Sequence, residues 1–248
     1  MGEKKVKIIC KNLRKKKFKH FTVCQGACSD GNYIYAAFER KPKKGRKHAI
    51  KIGKFDTTGG LVKASKALQI GHANDMTIKD GVLYVTHSGT SQKIHRIDPD
   101  KLTKLSDVKI NIPSNMKKCN GYNGITTYKD GFLIRGFGDK FYITDSDLHA
   151  KKIIHLKSID NRSSQGMTCN DENIYRGFSG VPGKAQVKHR NEYCVYDMNG
   201  KLVKRVDLSL TGEMESIFFV GTVLYSTVHR SYKKKGKSYI HSKLVKIG

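Results

Sequence analysis

Apolar and polar residues alternate along this chain with a period of two, in short runs broken by Gly, Asp and Asn. That is the pattern of half-buried strands and tight turns rather than of helices. One arrangement recurs: a polar residue, a small or acidic one, two mostly apolar ones, a turn and a β-rich run. The copies are "QGACSDGNYIYAAF" (Gln25 to Phe38), "NDMTIKDGVLYVTH" (Asn74 to His87), "NGITTYKDGFLIRGF" (Asn123 to Phe137), "QGMTCNDENIYRGF" (Gln165 to Phe178) and "ESIFFVGTVLYSTV" (Glu215 to Val228). Their starts are 49, 49, 42 and 50 residues apart.

The first four copies continue through a variable stretch into a second β-like run that ends at Asp56, Asp98, Asp145 or Asp197, followed by a turn such as "DTTGG" or "DMNG" and a further run. Four short strands in each unit of about 40 to 50 residues predict an all-β fold, a five-bladed β-propeller. Residues 1–248 then form one domain, with blades starting near 25, 74, 123, 165 and 215. The last copy runs out at "SKLVKIG", one strand short, and the early segment 4–13 supplies an unassigned strand. Docking it on the last blade would close the ring and cover the open edge.

Composition adds a compartment and a charge. No run of eighteen apolar residues occurs, and the opening "MGEKKVKIICKNLRKKKFKH" has no uncharged hydrophobic stretch, so no transmembrane segment or secretory leader is expected. The chain is read as a cytoplasmic monomer if complete, and as secreted if it is a processed fragment. Six cysteines lack any CxxC pair or zinc-ligand spacing and are expected as buried free thiols. Against 21 Asp+Glu stand 48 Lys+Arg, a formal charge of +27 that favours encounter with polyanions.

In a propeller the first strand of each blade lines the central channel. The topology therefore places Gln25, Asn74, Asn123, Gln165 and Glu215 in a ring at one mouth. These side chains either satisfy one another and the nearby backbone or floor a ligand site. No metal motif is present and no cofactor is assigned. A divalent cation held by the amide oxygens and Glu215 at the channel mouth is the one that this ring would suit. The same face receives "ERKPKKGRKH", "GKAQVKHRNEY" and "HRSYKKKGKSYIH", a basic rim of Lys43, Lys44, Arg46, Lys188, Arg190, Lys233 and Lys235 with His229 at its inner end. Arg135 and Arg176 end the second strands of two blades beside aromatic residues, an arrangement that suits phosphate, sulfate or carboxylate groups. His72, Asp75 and His87 exceed the repeat rule, and together could brace turns, contact a ligand or transfer protons.

The "QG" opening followed by "DGNYIYAAF" resembles the plant and bacterial glutaminyl cyclotransferases, five-bladed propellers with a Phe-Thr-Gln-Gly signature. Here Val23 and Cys24 separate Phe21 and Thr22 from Gln25 and Gly26. The resemblance implies cyclisation of N-terminal glutamine, with Gln25 and a channel carboxylate at the site. Gln25-Gly26, Gln165-Gly166 and the run His72 to Asp75 are also similar to openings in helveticin-type secreted propellers, which would imply contact with cell-surface glycans.

Two function classes follow. The leading one is a non-enzymatic propeller that captures an anionic ligand, nucleic acid or acidic glycan, on its basic face above a polar funnel. The alternative is an enzyme in the channel mouth, either a cyclotransferase or a metal-assisted hydrolase using Glu215, Asp75 and His72.

Overall fold

The computed structural model describes the chain apart from residues 1, 5, 14–15, 41–47, 88, 138–139, 157–158, 160–162, 180–190, 235–236 and 248. It is a five-bladed propeller whose blades are separate sheets, each with four antiparallel strands. Blade 1 runs outward through Val23–Ser29, Tyr33–Arg40, Ala49–Asp56 and Leu61–Ala64. The inner strands of blades 2 to 5 are Met76–Lys79, Tyr122–Tyr128, Ser163–Cys169 and Glu213–Val220.

Strand alternation divides each blade between two neighbours. In the second strand of blade 1, Ala36 and Phe38 pack with Phe218 and Leu244 of blade 5, while Tyr35 and Ala37 pack with Met76 and Leu83 of blade 2. The side-chain period of two thus feeds two cores from one strand. The molecule has five such apolar wedges, one between each pair of adjacent blades. Burial falls outward: Val23–Ser29 is almost wholly covered, whereas the outermost strand Leu61–Ala64 is half open.

The aspartates that end the third strands have a geometric task. Oδ1 of Asp56 accepts the Thr58 and Gly60 backbone N–H groups at 2.8 and 2.9 Å. Asp98, Asp145 and Asp197 do the same for their own turns. A side chain that stands in for a backbone acceptor fixes the hairpin to the fourth strand.

Ring closure follows the expectation and extends it. Lys7–Cys10 pairs antiparallel with Lys237–Lys246, opposing Lys7 to Lys246 and Ile8 to Val245, and so becomes the fourth strand of blade 5. Gly2–Lys4 then crosses to blade 4 and pairs parallel with Leu202–Leu208 as a fifth strand, which the repeat pattern does not foretell. Within the basic segment "HRSYKKKGKSYIH" the described residues are strand: Val223–Lys234 pairs antiparallel with Lys237–Lys246, with Tyr232 opposite Tyr239. All six cysteines are free, and each is buried or half-buried. Among the described residues no helix is long and apolar enough to cross a membrane.

Removal of residues 1–10 would uncover the Lys237–Lys246 edge. We expect the thermal midpoint to fall by roughly 5–15 °C and the protein to self-associate in sedimentation velocity. An unchanged midpoint would show that the closing strands carry no stability.

Candidate functional site

The five polar residues that open the inner strands line one cavity of about 480 Å³ at a single mouth of the channel. Gln25, Asn74, Asn123, Gln165 and Glu215 share it with His72, Arg135, Phe137, Glu213 and His229, among others. One step deeper the corresponding positions are Gly26, Asp75, Gly124, Gly166 and Ser216. The glycines are there because the strands converge: a Cβ on Gly26 would lie 2.8 Å from the Asp75 Cα, and one on Gly166 2.7 Å from the Ser216 Cα.

Asp75 uses the space that the glycines leave. It is fully buried, and its Oδ2 accepts the backbone N–H groups of Ile125 and Met167, each at 3.3 Å, from two other blades. Burial drives its pKa well above the usual aspartate range, against the pull of those donors and of Arg135. Asp75 is therefore part of the floor of the funnel and does not line the cavity.

The three residues that exceeded the repeat rule part company. Ala73 adopts a left-handed backbone conformation (φ 53°), and its carbonyl accepts the Gly26 N–H at 3.0 Å. The chain turns there, leaving His72 at the mouth and Asp75 below it. His87 leads away from the funnel: its Nδ1 is 2.9 Å from His95 Nε2, and His95 Nδ1 is 2.6 Å from Asp107. Burial lowers the pKa of both rings, against the pull of Asp107, and the pair braces blade 2.

The two arginines also differ. Arg135 reaches the funnel, and its Nη1 donates to the carbonyls of Ser164 and Gln165 at 3.3 and 3.2 Å. Arg176 is not a mouth residue. It is 2 % exposed, lies 4.9 Å from the Phe178 ring centre and 5.4 Å from that of Phe141, and donates from Nε to Ser164 Oγ at 2.7 Å. A planar cation between rings is a packing element between blades 3 and 4. Of the basic rim, Lys43, Lys44, Arg46, Lys188, Arg190 and Lys235 lie outside the described residues, and Lys233 is described only as backbone in the blade 5 hairpin.

The mouth is richer in acid and imidazole than the repeat suggests. In blade 5, His229 Nδ1 is 2.6 Å from Glu215 Oε1, while its Nε2 faces Glu213 Oε2 at 3.6 Å. Gln165 donates to Glu213 and to Ser179, both at 3.2 Å. In blade 1, Glu39 Oε1 meets His72 Nδ1 and His48 Nε2, both at 2.8 Å, and Gln25 donates to its Oε2 at 3.4 Å. Asn74 donates to the Asn123 carbonyl at 2.8 Å. Gln25, Asn74 and Gln165 are thus engaged by a second row of acids, a serine and backbone.

Glu39, His48 and Glu213 were missed by the sequence reading, yet a signal existed. The residue fourteen positions after the inner polar residue bonds back to it in three blades: Gln25 to Glu39, Gln165 to Ser179 and Glu215 to His229. Extending the repeat by a single residue past Phe38 and Val228 reaches both Glu39 and His229. His72 and Glu213 share a further offset, two residues before the inner one. The acids and histidines gather on blades 5, 1 and 2, with Arg135 across from them on blade 3.

Glu215 has a strongly altered proton affinity. Burial, with a contribution from Glu213, raises its pKa to about 7, while the bond to His229 opposes the shift. Glu39 shows the opposite balance: burial raises its affinity, but His72 and His48 together hold it below the usual glutamate value.

Among solved structures, the chain is similar to the glutaminyl cyclase of Myxococcus xanthus, with TM-score 0.61 and 11% identity over 100% of this chain and 99% of that one. BamB from Moraxella catarrhalis gives TM-score 0.40 and 14% identity over 90% of this chain and 58% of that one. U3-55K gives 0.44 and 8% over 92% and 80%. The first likeness carries the fold alone, and that fold is the one implied by the cyclotransferase resemblance. No protein family and no curated protein sequence matches the chain.

The raised pKa of Glu215 links protonation to stability. Between its ordinary value of 4.5 and about 7 the folded chain holds a proton that the unfolded chain has lost, so this group's contribution is full below that window and fades as pH rises through it. Glu215→Gln stays neutral throughout. Relative to the native protein it is expected to gain up to about 3 kcal/mol between pH 4.5 and 7.5, read from urea unfolding at a series of pH values. Parallel pH profiles for the two proteins would contradict the assignment.

Proposed function

We propose that the funnel is the active centre of a proton-transfer enzyme in which Glu215 is the general base and acid. The observation that carries this reading is a glutamate only 5 % exposed, lining an open cavity, with a pKa near 7 and a 2.6 Å bond to His229. A group that exchanges its proton near neutral pH serves as both base and acid in one turnover. His229 lies between Glu215 and Glu213 and holds the carboxylate in place.

The reaction best supported is cyclisation of an N-terminal glutamine. Glu215 takes a proton from the α-amine as its nitrogen attacks the side-chain carbonyl, then delivers it to the departing amide nitrogen. One C–N bond forms, another breaks, and ammonia leaves. Gln25 and Arg135 stand at the same mouth, and Phe137, 42 % exposed, offers an apolar face in a chain that has no tryptophan. A cavity of about 480 Å³ suits a small substrate end rather than a folded protein. A solved protein of the same fold, the glutaminyl cyclase of Myxococcus xanthus, shows that such a propeller can carry this chemistry.

A second reading rests on a different observation, the formal charge of +27, for which the funnel gives no account. In it the basic runs of the sequence capture a polyanion, nucleic acid or acidic glycan, through phosphate or sulfate contacts.

The test for the first reading is ammonia release from peptides with N-terminal glutamine. The native protein is expected to turn them over, with kcat/KM rising as pH passes about 7, and Glu215→Gln to lose on the order of 10²-fold or more. No turnover, or an unaffected Glu215→Gln variant, would overturn it. For the second, charge reversal at Lys43, Lys44, Lys233 and Lys235 is expected to weaken binding to single-stranded RNA or heparin on the order of tenfold or more at near-physiological salt, while ammonia release is preserved. Binding that survives the reversal would count against the rim.

A further inference from the structure

We infer that Glu39, His48 and His72 form a binding site for a single Zn2+ ion, with its open coordination position facing the funnel. This goes beyond the proton-transfer role of Glu215 and does not rest on it. One oxygen of a carboxylate only 4 % exposed faces two imidazole nitrogens at 2.8 Å each, one from just before the third strand of blade 1 and one from just before the inner strand of blade 2. The three ligand atoms lie within 4.8 Å of one another. Tetrahedral Zn–N and Zn–O bonds of about 2.0–2.2 Å set ligand atoms about 3.3–3.6 Å apart, so the two 2.8 Å contacts must open by roughly half an ångström for an ion to take the place of the two N–H protons, a shift within reach of side-chain adjustment.

The surroundings fit a metal as well as the donors do. The His48 and His72 rings are roughly parallel, 28° apart in plane, and their side chains remain 30 % and 40 % exposed. His72 lines the cavity, which leaves solvent access for a fourth ligand. Gln25 Nε2 holds the second oxygen of Glu39, the kind of outer contact that fixes a ligating carboxylate. Two imidazoles and one carboxylate with an open position suit Zn2+ and its neighbours in the first transition row, rather than Ca2+ or Mg2+.

The cluster on blade 5 differs in a way that decides between them. There the single histidine turns opposite ring nitrogens to two carboxylates, Nδ1 to Glu215 and Nε2 to Glu213. Ligand atoms of these three residues also lie within 4.8 Å of one another, but the shared ring spends both nitrogens on the two acids, and blade 5 offers one imidazole where blades 1 and 2 together offer two. The site also departs from the amide ring that the repeat pattern suggested for a cation, because Gln25 supports a ligand and Asn74 is bonded to the Asn123 carbonyl.

The test uses the full-length protein stripped with EDTA, titrated with Zn2+ by calorimetry and with Co2+ by visible absorption. We expect one equivalent to bind with a micromolar or lower dissociation constant, and Co2+ to give d–d bands typical of low coordination number. His48→Ala and His72→Ala, both at partly exposed side chains, should each weaken binding at least tenfold while leaving the far-ultraviolet spectrum of the metal-free protein unchanged. His229→Gln and the surface variant His149→Ala should bind as the native protein does. Zn2+ should raise the midpoint of the native chain and not that of His72→Ala. Absence of one-to-one binding, binding that survives His72→Ala, or binding lost in His229→Gln would overturn the inference.

Discussion

The carboxylate of Asp75 is the contact on which the centre of this molecule depends. Propeller blades touch mainly through apolar side chains, which resist separation but tolerate sliding. A carboxylate that leaves blade 2 and accepts backbone N–H groups from blades 3 and 4 fixes three inner strands relative to one another along the axis. Its burial costs solvation, as the raised pKa records, and the two inter-blade donors offset that cost. The arrangement works only because Gly26, Gly124 and Gly166 leave the axis empty for it. Small residues in one layer and a single long one among them follow from the convergence of five strands on a line.

Above this floor the fivefold pattern breaks down usefully. Every blade offers a polar side chain at the top of its inner strand, but the acids and histidines gather on blades 5, 1 and 2. Asymmetry is what a site needs, since a substrate or an ion has no fivefold symmetry. Blades 3 and 4 contribute amides, Arg135 and the exposed ring of Phe137 instead. One face of the funnel can therefore move protons or hold a cation while the other orients what lies between.

The fold was readable because its rules are local. Period-two alternation, turn residues and the recurring aspartate each act within a few positions, so five copies reinforced one another. The same reasoning located the ring of Gln25, Asn74, Asn123, Gln165 and Glu215, because that ring depends on register alone. It did not separate Arg135 from Arg176, which occupy equivalent strand positions but face different neighbours: one reaches the cavity and the other is packed against Phe141 and Phe178. Nor did it foresee that Ala73 would turn the chain between His72 and Asp75. Those outcomes depend on a backbone angle and on rings from the adjacent blade, neither of which is written at the position concerned. The pairing of Gly2–Lys4 with blade 4 was hidden for the same reason, since a three-residue strand carries too little pattern of its own.

The closing strand imposes an order of events on folding. Lys7–Cys10 finds its partner only near Lys246, so at ordinary synthesis rates it waits on the order of 10–50 s for the last hairpin to appear. The blades between can pair within themselves much sooner, since each is built from successive hairpins. During that interval the nascent protein is an open arc with two unfinished ends. Mutual capture of those ends is a step of high contact order, made late and undone first. Resistance to thermal unfolding should accordingly be governed at this seam, however well the five apolar wedges are packed.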